Sequence, residues 1–197
     1  VKPNVQFLSG GVYYCEAESA RSILIGPPNN WNITDSGKRC PKDYFITRWR
    51  TDITGPETSN STSITIPTNS TAYTYKYDVD WECDGTFDDI GVTGNITHDY
   101  GTAGTYDICI AGTFPQLYIN NTGDKLKILD VKQWGSVGWR SMENAFYGAD
   151  NLNTTAVDTP IWNPSVTNIS FQNAFRNTKS FNGAIGNWDT SKVTNMA

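Results

Sequence analysis

The sequence predicts a mainly β chain: an antiparallel β-sandwich followed by a solenoid of repeats that carry short helices. Three observations carry that expectation. Four runs between Phe45 and Ile110 alternate apolar and polar residues and are separated by Gly, Pro, Asn and Asp clusters, the pattern of short half-buried strands. Asn144-Ala145-Phe146 returns 29 residues later as Asn173-Ala174-Phe175, and Val166-Thr167-Asn168-Ile169 returns 27 residues later as Val193-Thr194-Asn195-Met196. A period in the high twenties belongs to solenoids, whose units bury their apolar faces only against neighbours. Finally, 38% of residues are hydrophobic and only 18% charged, with Asn, Thr, Ser and Gly abundant, as in β-rich extracellular proteins.

Residues 1–44 show little periodicity. Val12–Cys15 and Ser22–Ile25 read as strands, and turn signals stand at Gly10-Gly11, Pro27-Pro28-Asn29-Asn30 and Asp35-Ser36-Gly37. So short a segment needs a staple. The four cysteines, at 15, 40, 83 and 109, lack CxxC spacing, and His98 is the only histidine, so disulfides are favoured over zinc. Three connectivities are possible, and Cys15–Cys40 with Cys83–Cys109 keeps each pair within one region. Disulfides imply an oxidising compartment.

Residues 45–117 hold the alternating runs Phe45–Arg50, Ser63–Ile66, Thr74–Trp81 and Thr105–Ile110. In residues 118–197 a short helix is expected near Ser141–Phe146, followed by extended chain, once per repeat. Phe146 and Phe175 are expected to stack along the solenoid; Leu152 recurs as Phe181, and Trp162 as Trp188. Ala197 falls partway through a repeat, so further chain or another molecule is expected to cover that end.

Several of these residues resemble known families. Tyr77-Asp78-Val79-Asp80-Trp81, His98-Asp99-Tyr100 and Gly104-Thr105-Tyr106 resemble the polycystic-kidney-disease (PKD) type of immunoglobulin-like β-sandwich. Gly112–Pro115, Trp134-Gly135, Met142–Phe146, Ser180–Asn182 and Trp188–Met196 resemble BspA-like leucine-rich-repeat surface proteins, in which a PKD-like module leads into such repeats. The resemblance covers residues 45–197 and implies a PKD-like sandwich at 45–117 and leucine-rich-like repeats at 118–197. It also implies a secreted or surface-displayed protein of adhesion or matrix and no catalysis. Trp81 would be the inter-sheet residue and His98 a structural one.

Seven Asn-X-Ser/Thr acceptors, at Asn32, Asn60, Asn69, Asn95, Asn120, Asn153 and Asn168, point to N-linked glycans in the same compartment. Asp80, Glu82, Asp84 and Asp88 place acids at alternate positions around Gly85, in the manner of a loop that wraps Ca²⁺. Gly91 stands where a calcium loop carries its closing Glu, and a solvated acidic hairpin turn is the competing reading. Asp88, Asp89 and Glu143 show no spacing that signals a glycosidase cleft, and Gly101–Gly104 lacks the Lys of a phosphate loop. The net charge of −5 and the absence of a basic stripe argue against nucleic acid, and no apolar run is long enough to span a bilayer.

The function expected is non-enzymatic adhesion or recognition at a cell surface, with surface or matrix proteins as partners. The alternative is a glycosylated structural subunit whose copies assemble head to tail into a filament or sheath.

Overall fold

The computed structural model describes residues 3–8, 15, 18–34 and 40–197. Two compact units result, Val1–Asp43 and Tyr44–Ala197. In the first, β1 (Gln6–Leu8) pairs in parallel with a later strand across a helix, α1 (Glu18–Ile25); that later strand is β2 (Asn32–Thr34), and Cys15 bonds to Cys40. The strand expected at Ser22–Ile25 is therefore helical. Glu18, Ala20 and Arg21, good helix formers, precede its β-branched residues, and Gly26 ends the helix by donating its N–H to the Ser22 carbonyl at 3.0 Å. The strand expected at Val12–Cys15 falls on Val12, Tyr13 and Tyr14, outside the described residues.

The second unit begins with six strands: β3 (Phe45–Arg50), β4 (Ser63–Ile66), β5 (Lys76–Asp80), β6 (Asp89–Val92), β7 (Ile96–Asp99) and β8 (Thr105–Thr113); β3, β4, β5 and β8 fall on the four alternating runs, and β6 and β7 add to them. Four short strands follow: β9 (Ile128–Gln133), β10 (Asn153–Thr154), β11 (Ile169–Ser170) and β12 (Val193–Asn195). One sheet runs in the order β10-β9-β3-β8-β5-β6; β4 and β7 form a two-stranded sheet, as do β11 and β12. Strand alternation sends Trp49, Tyr77, Val79, Ile108 and Ile110 inward against Ile64 and Ile66 of β4, with Trp81 fully buried. His98 lies half-buried with its ring stacked 4.9 Å from that of Trp81.

β9 belongs to the repeat region, yet it pairs with β3 of the sandwich. One apolar core consequently runs from Phe45 through Trp134, Phe146 and Ile169 to Trp188. Past β8 the chain winds in coils that bond along the backbone. Asn120 donates to Asn144 O at 3.0 Å, Asn144 to Gln172 O at 2.9 Å, and Asn173 to Ala197 O at 2.8 Å. The rings of Phe146 and Phe175 stack at 5.5 Å, and Trp162 and Trp188 are buried.

The short helices expected in the repeats are absent among the described residues of 118–197, where turns stand instead. Asn144 and Asn173 both have φ of 52°, outside the right-handed helical region, so each coil closes with a tight turn, Ala145 N–H to Met142 O and Ala174 N–H to Phe171 O. Glu57 also has positive φ, 68°, inside the turn closed by Thr58 N–H to Gly55 O, and has no glycine-like freedom there. Glu57→Gly should stabilise the unit by about 0.5–1 kcal/mol, read as a raised urea midpoint.

A buried ion pair closes one sandwich edge. Lys127 Nζ lies 3.3 Å from Asp124 Oδ1, both side chains essentially inaccessible. Asp124 accepts the N–H groups of Ser59 and Thr65, and Lys127 donates to the carbonyls of Ser59, Asn60 and Ser63. Two side chains from the first coil thus satisfy the backbone along the edge of β4, much as a neighbouring strand would.

Candidate functional site

The acidic loop follows β5, whose last residue, Asp80, is buried, while Glu82 lies beyond the end of the strand and is exposed. Asp80, Glu82 and Asp88 bring ligand oxygens within 4.8 Å of one another. Asp84 stands outside this group, which corrects the four-residue ligand set. Its Oδ1 accepts the Thr86 N–H at 2.8 Å, so the loop turns back through local Asx chemistry. Asp80 accepts the N–H groups of Asp84 and Gly85 at 3.1 and 2.7 Å, and Asp88 accepts that of Trp81 at 3.0 Å. Cys83, at φ 57°, is bonded to Cys109 of β8, which pins the loop to the sheet.

Burial pushes the Asp80 carboxyl above its ordinary range, against the pull of the Gly85 and Asp84 N–H groups. Glu82 is raised by desolvation and then by the neighbouring Asp88 charge. Both folded-state values exceed the unfolded ones. Their contribution to stability is therefore present below the unfolded values and is lost as pH rises through the folded ones. A hard cation would offset that loss. Millimolar Ca²⁺ is accordingly expected to raise the melting temperature at pH 7 and much less near pH 4, with Asp80→Asn removing the response. An unchanged melting temperature at pH 7 would overturn the calcium reading.

The carboxylates of Asp89 and Asp107 do structural work. Asp89 accepts the Trp81 indole N–H at 2.8 Å. Asp107 is pushed up by burial, but hydrogen bonds from Arg48 and Lys132 outweigh that and hold it below the usual range. Glu143 sits on the second coil, where its carbonyl accepts the Gln116 amide at 2.7 Å.

The open end expected at the last coil is a groove of about 590 Å³, lined by Phe171, Phe175, Ile185, Trp188, Met196 and Ala197 among others. Phe175 reaches it because its other face rests on Phe146. Ile185 and Met196 at its margin are 38% and 68% exposed, which leaves an apolar surface able to take an apolar side chain or peptide. Repetition marked Phe175 and Trp188 as core, and their open side is the end that the partial last repeat was expected to leave uncovered.

The sequons divide by environment. Asn32, Asn60, Asn95 and Asn168 are exposed, whereas Asn69, Asn120 and Asn153 are half-buried. No helix among the described residues is long and apolar enough to cross a membrane.

No curated protein and no solved structure matches the chain. Residues 116–197, the coils that carry the groove, match the family described as "Mycoplasma protein of unknown function, DUF285".

Proposed function

We propose that the protein is a non-enzymatic extracellular recognition module, in which the coils present the binding face and the sandwich carries them. The observation that supports this most directly is the stack of coils bonded along the backbone, Asn120 to Asn144 and Asn144 to Gln172, which offers an extended surface to another macromolecule. The two disulfides fit an oxidising compartment. The likeness of residues 45–197 to PKD-bearing, BspA-like surface proteins agrees with adhesion to surface or matrix proteins.

Beads coated with the protein and presented to immobilised matrix proteins and to cells test this reading. Retention is expected, and Ile185→Lys with Met196→Lys should abolish it while circular dichroism stays unchanged, because both side chains lie at the margin. Retention equal to that of uncoated beads, or unaffected by the pair of lysines, would overturn the assignment.

The same exposed pair favours a second reading, a subunit of an extracellular filament or sheath. Regular fibres in electron micrographs, lost with the double lysine variant, would select it over the recognition module.

A further inference from the structure

We propose that Asn69 is favoured over Asn60, Asn95, Asn120 and Asn153 for N-linked glycan attachment, and that the sequons at Asn120 and Asn153 stay unmodified in the folded chain. This rests on the extracellular reading above. The reaction joins the Asn amide nitrogen to the anomeric carbon of an oligosaccharide carried on a lipid pyrophosphate. The nitrogen gives one proton to a base of the transferase, the lipid pyrophosphate leaves, and one N–H remains on the new amide. A hydroxyl two residues on that donates to the amide oxygen stabilises the form in which the nitrogen has lost its proton.

Asn69 has that geometry. Thr71 Oγ1 donates to Asn69 Oδ1 at 2.9 Å, and Ser70, Thr71 and Ala72 are all exposed. The bond spans two residues, so it forms in a local turn and needs no distant part of the fold. The backbone around it is held independently, with Asn69 O accepting from Ala72 and Tyr73 and Asn69 N–H bonded to the Tyr75 hydroxyl.

The sequons at Asn60, Asn95, Asn120 and Asn153 commit their groups elsewhere. Thr62 Oγ1 sits 3.0 Å from Asn60 Oδ1 but 2.6 Å from Asp99 Oδ1, and its one proton goes to the carboxylate. Asn95 Oδ1 takes the N–H and hydroxyl of Thr68 at 2.7 and 2.8 Å, while the Thr97 hydroxyl pairs with that of Thr65. Thr122 donates to the Ile119 carbonyl, and Asn120 has φ of 48° and a place in the coil ladder. Thr155 donates to Asp130 at 2.6 Å, and Asn153 Oδ1 accepts the Asn182 N–H. Both residues thus belong to the coil stack, Asn120 through its backbone N–H and Asn153 through its amide oxygen.

The test is site-mapped mass spectrometry of residues 1–197 made in a eukaryotic secretory host, which supplies the transferase whatever the native compartment. Asn69 should be more fully occupied than Asn60, Asn95, Asn120 and Asn153, and Thr71→Val should remove one glycan while Thr71→Ser keeps it. An empty Asn69, or occupancy at Asn120 and Asn153 equal to it, would overturn the proposal. Native material without glycan, beside an occupied Asn69 in the host-made chain, would count against the extracellular reading and leave the site chemistry standing.

Discussion

Lys127→Met is expected to cost the Tyr44–Ala197 unit about 3–5 kcal/mol, because it strands a buried Asp124 carboxylate and removes the donor of three backbone carbonyls. In a unit of this size that is a fall of about 10 °C in melting temperature. Lys179→Met is the control. Lys179 also bonds to a carboxylate, Asp150, but its side chain is 78% exposed, and the change should be close to neutral. Urea denaturation followed by tryptophan fluorescence separates the two. Equal losses would mean that Lys127 acts only as a surface charge.

Phe146→Ala should cost a similar amount, about 3–5 kcal/mol, by opening a cavity and removing the ring that stacks on Phe175. The more telling expectation concerns cooperativity. Phe146 belongs to a core shared by sandwich and coils, and β9 is hydrogen-bonded to β3. Residues 44–197 should therefore unfold in one transition, and Phe146→Ala should move that whole transition to lower urea. Two separated transitions, with only the later one shared by the wild type, would show the coils to be an independent unit.

The strands of the sandwich were legible because alternation is a local signal: Phe45–Arg50 and Ser63–Ile66 stand where their patterns place them. The repeat was legible for the same reason, since identical short segments return at coil spacing. Ser22–Ile25 was misread because three consecutive apolar residues, two of them β-branched, look alike in a strand and at the end of a helix. The turns at Asn144 and Asn173 were misread as helical because the sequence carries helix-compatible neighbours, and the positive φ of one Asn decides against them. Both errors lie where one backbone angle or one flanking residue outweighs pattern.

The candidate sites follow the same division. Asp80, Glu82 and Asp88 were visible as spaced acids, but whether Asp84 joins them depends on which way a turn aims its side chain. Asp124 and Lys127 looked like any charged pair three residues apart. Their burial comes from the loop at residues 59–65, distant in sequence, and no local pattern announces that. The groove lies at the end of the stack that the partial last repeat was expected to leave uncovered.

The antiparallel joint between β3 and β9 has a mechanical consequence. Tension applied to the coils passes into the sandwich through a ladder running from Ile46↔Gln133 to Trp49↔Ile128, instead of through a loose tether. A pull along those strands would load several hydrogen bonds at once, in shear, while the rings of Phe45 and Trp134 resist sliding from below. Anything gripped by the coils is thereby held on a stiff arm, and its orientation is transmitted to the domain behind.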